Sequence, residues 1–149
     1  MRIEDEIKQS KPFKSDYQKA AVNMLFTQGW IMEHMRNLFQ PFNITVKQYN
    51  ILRILKGAGK PISTSVIRER LIDKMSDTTR IIDRMLAKGL VEKNNCKSDK
   101  RLVDITISNK GTELLKQIES KSKDMDRIFS ALTLDETKKL NLLLDKLRG

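Results

Sequence analysis

Apolar residues recur at helical spacing along most of the chain, and one stretch alternates instead. From Ser15 to about Gln40, Tyr17, Ala20, Ala21, Met24, Leu25, Ile31, Met35 and Leu38 share one side of a 3.6-residue repeat, which predicts a long helix. Gly29 weakens it mildly, and Pro41 ends it by disfavouring helical backbone in the residue before it. Asn43-Ile44-Thr45 then offers Thr45 as the cap of a second helix with Tyr49, Leu52 and Leu55 on its buried stripe, closed by Gly57 and Gly59. After Pro61, the hydroxyls of ISTS can cap a short third helix through Val66, Ile67 and Leu71. A break at Asp73–Met75 follows. Ser76 is the expected cap of a fourth helix, SDTTRIIDRMLAKG, which Gly89 stops with Lys88 in its last turn.

The alternating stretch lies beyond that glycine. Leu90-Val91-Glu92-Lys93 reads as one strand and Leu102–Ile107 as another, with Val103, Ile105 and Ile107 on one face. The eight polar, turn-rich residues between them make the pair a β-hairpin with a long tip. Ser108 and Asn109 start a long helix carrying Leu114, Leu115, Ile118, Met125, Ile128 and Phe129. Thr133 and Glu136 form a capping box that opens a last helix with Leu140, Leu143, Leu144 and Leu147 inward and Leu142 to spare. The first dozen residues, of mixed charge and containing Pro12, are expected to form a mobile or loosely docked arm.

The predicted fold class is therefore mainly α with a small β-hairpin. Two short helices joined by a tight turn make a helix-turn-helix, and a hairpin directly after it makes a winged helix. That architecture fits one helix into the roughly 12 Å major groove of DNA while the hairpin reaches a neighbouring groove or the backbone.

Charge strengthens the nucleic-acid reading. The 149 residues carry a formal net charge of +10, with a pI near 9.8, which favours a polyanion partner, nucleic acid before a membrane surface. One cysteine excludes an internal disulfide framework and fits a reducing compartment. No apolar run approaches the roughly 18 residues of a spanning helix, and MRIEDEIKQS is too polar for a signal peptide, so a cytoplasmic location is the default. Catalytic designs find little to build on. His34 is the only histidine, so no metal site and no cofactor are expected. KGAGK at Lys56–Lys60 is a turn rather than a phosphate loop, because Ile54 and Pro61 stand where that motif needs Gly and Ser or Thr. The chain does not read as an enzyme.

At 100° per residue, Thr78, Ile81, Ile82, Met85 and Leu86 should pack inward on the fourth helix, leaving Ser76, Thr79, Arg80, Asp83, Arg84 and Ala87 outward. Arg can grip guanine bidentately and Thr can meet a thymine methyl, so Ser76, Asp77, Thr79, Arg80 and Arg84 are the candidate base- and phosphate-contacting residues. Asp83 is expected to pair with Arg80 or Arg84, or to accept from a cytosine. A solvated face with ordinary charge pairs is the plainer alternative, and the adjacent hairpin weighs against it. On the hairpin, Lys97, Lys100 and Arg101 are candidate DNA contacts. Hairpin lysines also serve simply to protect edge strands. Arg101 differs, because Asp99 two residues earlier can brace it for a narrow minor groove.

The segment DKMSDTTRIIDRMLAKGLVEKNNCKSDKRLVDITISNKG resembles the signature of the MarR (multiple antibiotic resistance regulator) family. Gly89-Leu90-Val91-Glu92 and Asp99-Lys100-Arg101 match the family pattern as they stand. Ser108-Asn109-Lys110-Gly111 meets its last element with the threonine two places early, at Thr106. The likeness is strongest over residues 61–111 and architectural at both ends. It implies a homodimeric transcriptional regulator binding double-stranded DNA, usually a repressor released by a small ligand or an oxidant. It implies residues 1–14 as an arm, 15–42 and 108–149 as dimerisation helices, and 43–107 as a winged helix-turn-helix DNA-binding domain. It also implies Arg101 in the minor groove and the helix starting at Ser76 in the major groove. The leucine-dense terminal helices accord with a dimer, since their stripes exceed what a small winged helix could cover. The family's ligand pocket lies between the dimer helices and the winged helix, which makes Trp30, His34 and Arg53 conceivable lining groups for a small-molecule effector. Trp30 and His34, four apart, could equally pack together or face solvent.

Cys96 lies in the hairpin tip rather than in the first helix, where peroxide-sensing members keep theirs. Flanking cations would favour its thiolate, yet a lone cysteine there also reads as a passenger. Two other readings stand beside the sequence-specific regulator: a non-specific architectural DNA binder, and an adaptor that turns its winged helix to a protein partner.

Overall fold

Side-chain caps set most helix boundaries, so the architecture starts from short-range hydrogen bonds. The structure is a computed structural model that describes residues 1–95 and 103–149. Helix α1 spans Ile3–Glu6 and α2 Asp16–Phe39, the latter capped by Ser15, whose hydroxyl accepts from the Gln18 amide. A 3-10 turn over Gln40–Phe42 and left-handed Asn43 redirect the chain into α3, Val46–Ala58. There Thr45 and Gln48 form a reciprocal capping box. Strand β1 (Ile62–Ser63) leads into α4 (Thr64–Arg70), capped by Ser63, and then α5 (Thr78–Ala87). Strands β2 (Val91–Asn95) and β3 (Val103–Ile107) precede α6 (Asn109–Glu119), α7 (Ser122–Asp126), a 3-10 turn at Arg127–Phe129, and α8 (Leu134–Arg148). The Thr133–Glu136 box opens α8.

One hydrophobic core sits under the helix-turn-helix. Ile51, Leu52 and Leu55 of α3 meet Ile67 of α4, Met85 of α5, Ile105 of β3, and Leu115 and Ile118 of α6. Phe39 closes it at the end of α2, its ring 4.5 Å from that of Tyr49. Each such fully buried side chain contributes about 1.5–3 kcal/mol of transfer free energy, so the winged helix is the well-stabilised part of the chain.

Several expectations needed revision. The hairpin is the larger part of a three-stranded antiparallel sheet ordered β1-β3-β2, because Ile62 and Ser63 pair with Ile105 and Asp104 on the free edge of β3. The long helix expected from Ser108 breaks into α6, α7 and a 3-10 turn. At the break the Ser120 hydroxyl donates to the Gln117 carbonyl at 2.6 Å and the Lys121 amide reaches only three residues back, to Ile118. Serine competes with the helix ladder in this way. The N-terminal residues follow the docked rather than the mobile alternative. Ile3 is buried in α1, and Lys19 Nζ lies 2.7 Å from Glu4 Oε1, which holds the Glu4 carboxyl down at about 2.

The terminal helices leave apolar stripes uncovered, and on α8 this departs from the inward placement expected of its leucines. Within one chain, Tyr17 is 89% and Leu25 73% exposed on α2, while Leu143 and Leu147 of α8 face outward and Leu144 is half-buried. The leucine stripe of α8 does not reach the core, which the elements from Phe39 to Ile118 already fill.

A close backbone approach joins α6 to the segment that follows α5. Gly89 takes φ +68° to turn α5 into β2. The Ser108 hydroxyl donates to the Gly89 carbonyl at 2.7 Å and accepts from the Gly111 amide at 3.0 Å. A β-carbon on Gly111 would sit 2.2 Å from the Leu90 carbonyl oxygen and 3.2 Å from Leu52 Cδ2. Gly111→Ala is therefore expected to cost about 1–3 kcal/mol by overpacking against backbone. A lowered thermal midpoint checks it; an unchanged one would refute the contact.

Candidate nucleic-acid interface

Helix α5 is two-faced. Thr78, Ile82 and Met85 are buried and Ile81 and Leu86 half-buried, while Asp77, Thr79, Arg80, Asp83, Arg84 and Ala87 are exposed. The helical period thus brings Thr79, Arg80 and Arg84 together on the outward side, as the sequence predicted.

Ser76 and Asp77 exchange the parts expected of them. Asp77 is the N-cap, accepting from the Arg80 amide at 3.1 Å. Ser76 is half-buried and its hydroxyl donates to Asp73 Oδ2 at 2.8 Å, so it braces the preceding turn. Either residue type can cap; here the bond to Asp73 turns the Ser76 side chain toward the preceding turn. Asp83 differs too. Its partner is Lys93 of β2, at 3.5 Å, rather than Arg80 or Arg84. Both are more than half exposed, so that pair contributes at most about 1 kcal/mol, and among the described residues no carboxylate side chain pairs with the two arginines of α5.

Asp73, not among the residues expected to matter, organises the turn between α4 and α5. Lys47 Nζ lies 2.8 Å from its Oδ2, Ser76 donates to the same oxygen, and the Met75 amide donates to Oδ1 at 3.1 Å. The Lys47 ammonium first, then the Ser76 hydroxyl and the Met75 amide, hold the Asp73 carboxyl below the ordinary carboxylate range. The local Asp-x-x-Ser spacing was a signal for this turn; Lys47, on a different helix, had none.

Under α5 lies a cleft of about 430 Å³ between α2, α3 and α5, with Arg36, Lys47, Arg80 and Arg84 among its lining. A second, of about 630 Å³, opens between the 3-10 turn after α2, the end of α5 and α6, over Phe42, Leu90 and Leu114. Trp30, His34 and Arg53 line neither. Trp30 and His34 stack with ring centres 4.1 Å apart, and His34 Nδ1 lies 2.9 Å from the Trp30 carbonyl oxygen. Arg53 sits on α3 with its guanidinium 6.0 Å from the Tyr49 ring centre. Lys97, Asp99, Lys100 and Arg101, with Cys96, lie outside the described residues. Among the described residues no helix is long and apolar enough to cross a membrane.

The sequence model of the MarR family matches residues 44–103, from the start of α3 into β3. The HTH-type transcriptional regulator YwhA of Bacillus subtilis is 30% identical over 98 residues, covering 65% of this chain and 70% of that protein. This chain belongs to the MarR family. The HTH-type transcriptional repressor IacR of Pseudomonas putida is 28% identical over 118 residues, 78% of this chain and 70% of the repressor. Among solved structures, a mutant MarR from E. coli complexed with operator DNA superposes with a TM-score of 0.83 at 21% identity, over 93% of this chain and 100% of that one. MarR-family proteins are transcriptional regulators, and the described winged helix is the fold of that group.

The Asp73 cluster carries a pH signature. A carboxyl whose folded value is lowered stabilises the native state while ionised. That contribution is complete above the ordinary carboxylate value and is lost as pH falls through the lowered one. Asp73→Asn should therefore show a shallower loss of melting temperature on acidification than the wild type. Parallel acid limbs would remove Asp73 from that role.

Proposed function

We propose that the protein is a sequence-specific regulator of transcription that binds double-stranded DNA as a homodimer on a pseudo-palindromic operator, acting as a repressor in the cytoplasm. The observation that carries the reading is the outward face of α5, where Thr79, Arg80 and Arg84 are exposed while the turn before them is pinned by Asp73. In this reading α5 lies in the major groove, where Arg80 and Arg84 are guanine or phosphate ligands and Thr79 a base-edge contact. Ser76 and Asp77 hold the helix at its working angle. The hairpin supplies Lys97, Lys100 and Arg101 to the adjacent groove, with Asp99 bracing Arg101. Family membership and the net charge of +10 support the same assignment.

Residues 43–107 then form the DNA-binding domain, 15–42 and 108–149 the dimerisation helices, and 1–14 an arm laid on α2. Support for the dimer comes from the apolar side chains of α2 and α8 that one chain leaves in solvent, Leu25, Leu143 and Leu147 among them. A second copy would cover them, and twofold symmetry would set two α5 helices about one turn of DNA apart. A small-molecule effector would fit the cleft under α5, where occupancy would bear on Arg80 and Arg84 directly. Trp30 lines a smaller cleft of about 180 Å³ against Ile3 and Phe26, and a second copy would be needed to bring His34 and Arg53 into a pocket with it.

Selection from random duplexes at a stated salt concentration is expected to enrich a site with twofold-related halves. Arg80→Ala should then cost roughly 1–3 kcal/mol on that site and little on random DNA. Uniform weakening on every duplex, with a steep salt dependence and no enriched site, would favour a non-specific architectural binder. Leu143→Glu together with Leu147→Glu should shift the sedimenting species from dimer to monomer while the winged helix stays folded. A wild type that sediments as a monomer would overturn the dimer.

A further inference from the structure

The turn between α4 and α5 displays two large apolar side chains that nothing among the described residues covers. Ile72 is 89% and Met75 94% exposed. Isolated exposed apolar residues are ordinary, but these two stand on backbone that is held. The Met75 amide donates to Asp73 Oδ1 and the Ser76 amide to the Asp73 carbonyl, while Lys47 anchors Asp73 from α3. The acids of this stretch are occupied: Asp73 by Lys47 and Ser76, Asp77 by the Arg80 amide. Lys74, Arg80 and Arg84 meanwhile remain exposed around it. An apolar tip on a fixed turn, beside cations and at the head of α5, is a complement to a surface that is anionic yet carries apolar groups. Duplex DNA offers that combination in the major groove, where the thymine C5-methyl is the apolar feature among base edges.

We propose that Met75 is a specificity-determining residue, whose thioether chain packs on a thymine methyl in each half-site, with Ile72 adding apolar cover beside it. The inference rests on the DNA-regulator reading above and deepens it. Methionine suits the task because its unbranched chain adapts to the groove without a polar group to satisfy. Fixing the turn beforehand lowers the ordering cost of the contact.

The experiment uses the duplex enriched by the wild-type protein, with thymines replaced one at a time by uracil, which removes only the methyl. Binding is measured for the wild type and for Met75→Ser, whose fold is checked by thermal melting. For the wild type, one uracil position per half-site is expected to weaken binding about fourfold, the equivalent of one buried methyl-sized group. Met75→Ser should bind the thymine duplex more weakly by a similar factor and be indifferent to uracil at that position. Equal uracil sensitivity in both proteins would overturn the inference while leaving the regulator reading in place. A wild type that enriches no duplex would overturn both.

Discussion

The close approach of α6 to the end of α5 is the constraint on which the rest of the molecule depends. Gly111 allows the first turn of α6 to lie against the Leu90 carbonyl, and the Ser108 hydroxyl bridges the Gly89 carbonyl to the Gly111 amide. Lys110 Nζ adds a bond to the Lys88 carbonyl at 2.8 Å, and Lys88 in turn reaches the Asn43 carbonyl between α2 and α3. Carbonyls that a helix end would otherwise leave unpaired are thus spent joining three elements. The C-terminal end of the proposed recognition helix is fixed to the helix that leads to the chain's terminal region. A change in the angle of α6 would therefore be felt at α5, because packed backbone against backbone has no side chain to absorb the shift.

The other end of α5 is fixed by electrostatics rather than packing. Asp73 gathers an ammonium, a hydroxyl and an amide, and Asp77 satisfies one orphan donor of the helix, the Arg80 amide. Both carboxylates work within the protein. What remains pointing outward is mostly cationic, hydroxyl-bearing or apolar: Lys74, Thr79, Arg80, Arg84 and Met75. Both acids are turned inward to these partners, so the outward groups where α5 begins are the cations, hydroxyl and apolar chain just named.

Stability is distributed to match. The buried clusters of α3 to α6 hold the winged helix together in a single chain, whereas the first half of α2 and all of α8 keep apolar residues in water. Such surface is the usual mark of an interface, and in the proposed dimer another copy would complete the terminal helices.

How much of this was legible in the sequence follows from the range of each interaction. Local devices were readable. The Thr45 and Thr133 caps, the left-handed glycine after α5, the alternation along β3 and the outward placement of Thr79, Arg80 and Arg84 all depend on residues within about one helical turn or one strand period of each other. The candidate interface was therefore visible as a face before its surroundings were known. Contacts between distant segments were not. The pairing of Ile62 with Ile105, the capture of Asp73 by Lys47 and of Asp83 by Lys93, and the exposure of the α8 leucines follow from which surfaces meet once the chain is packed. Even the choice of Asp77 over Ser76 as the cap, a one-residue matter, was decided by tertiary structure, because Lys47 holds the aspartate that takes the serine's hydroxyl. The sequence by itself determined which faces are apolar and where helices start, since those are set by neighbours along the chain. Only the tertiary structure decided which charges are spent internally and which are left for a partner, since that depends on segments the chain brings together from far apart.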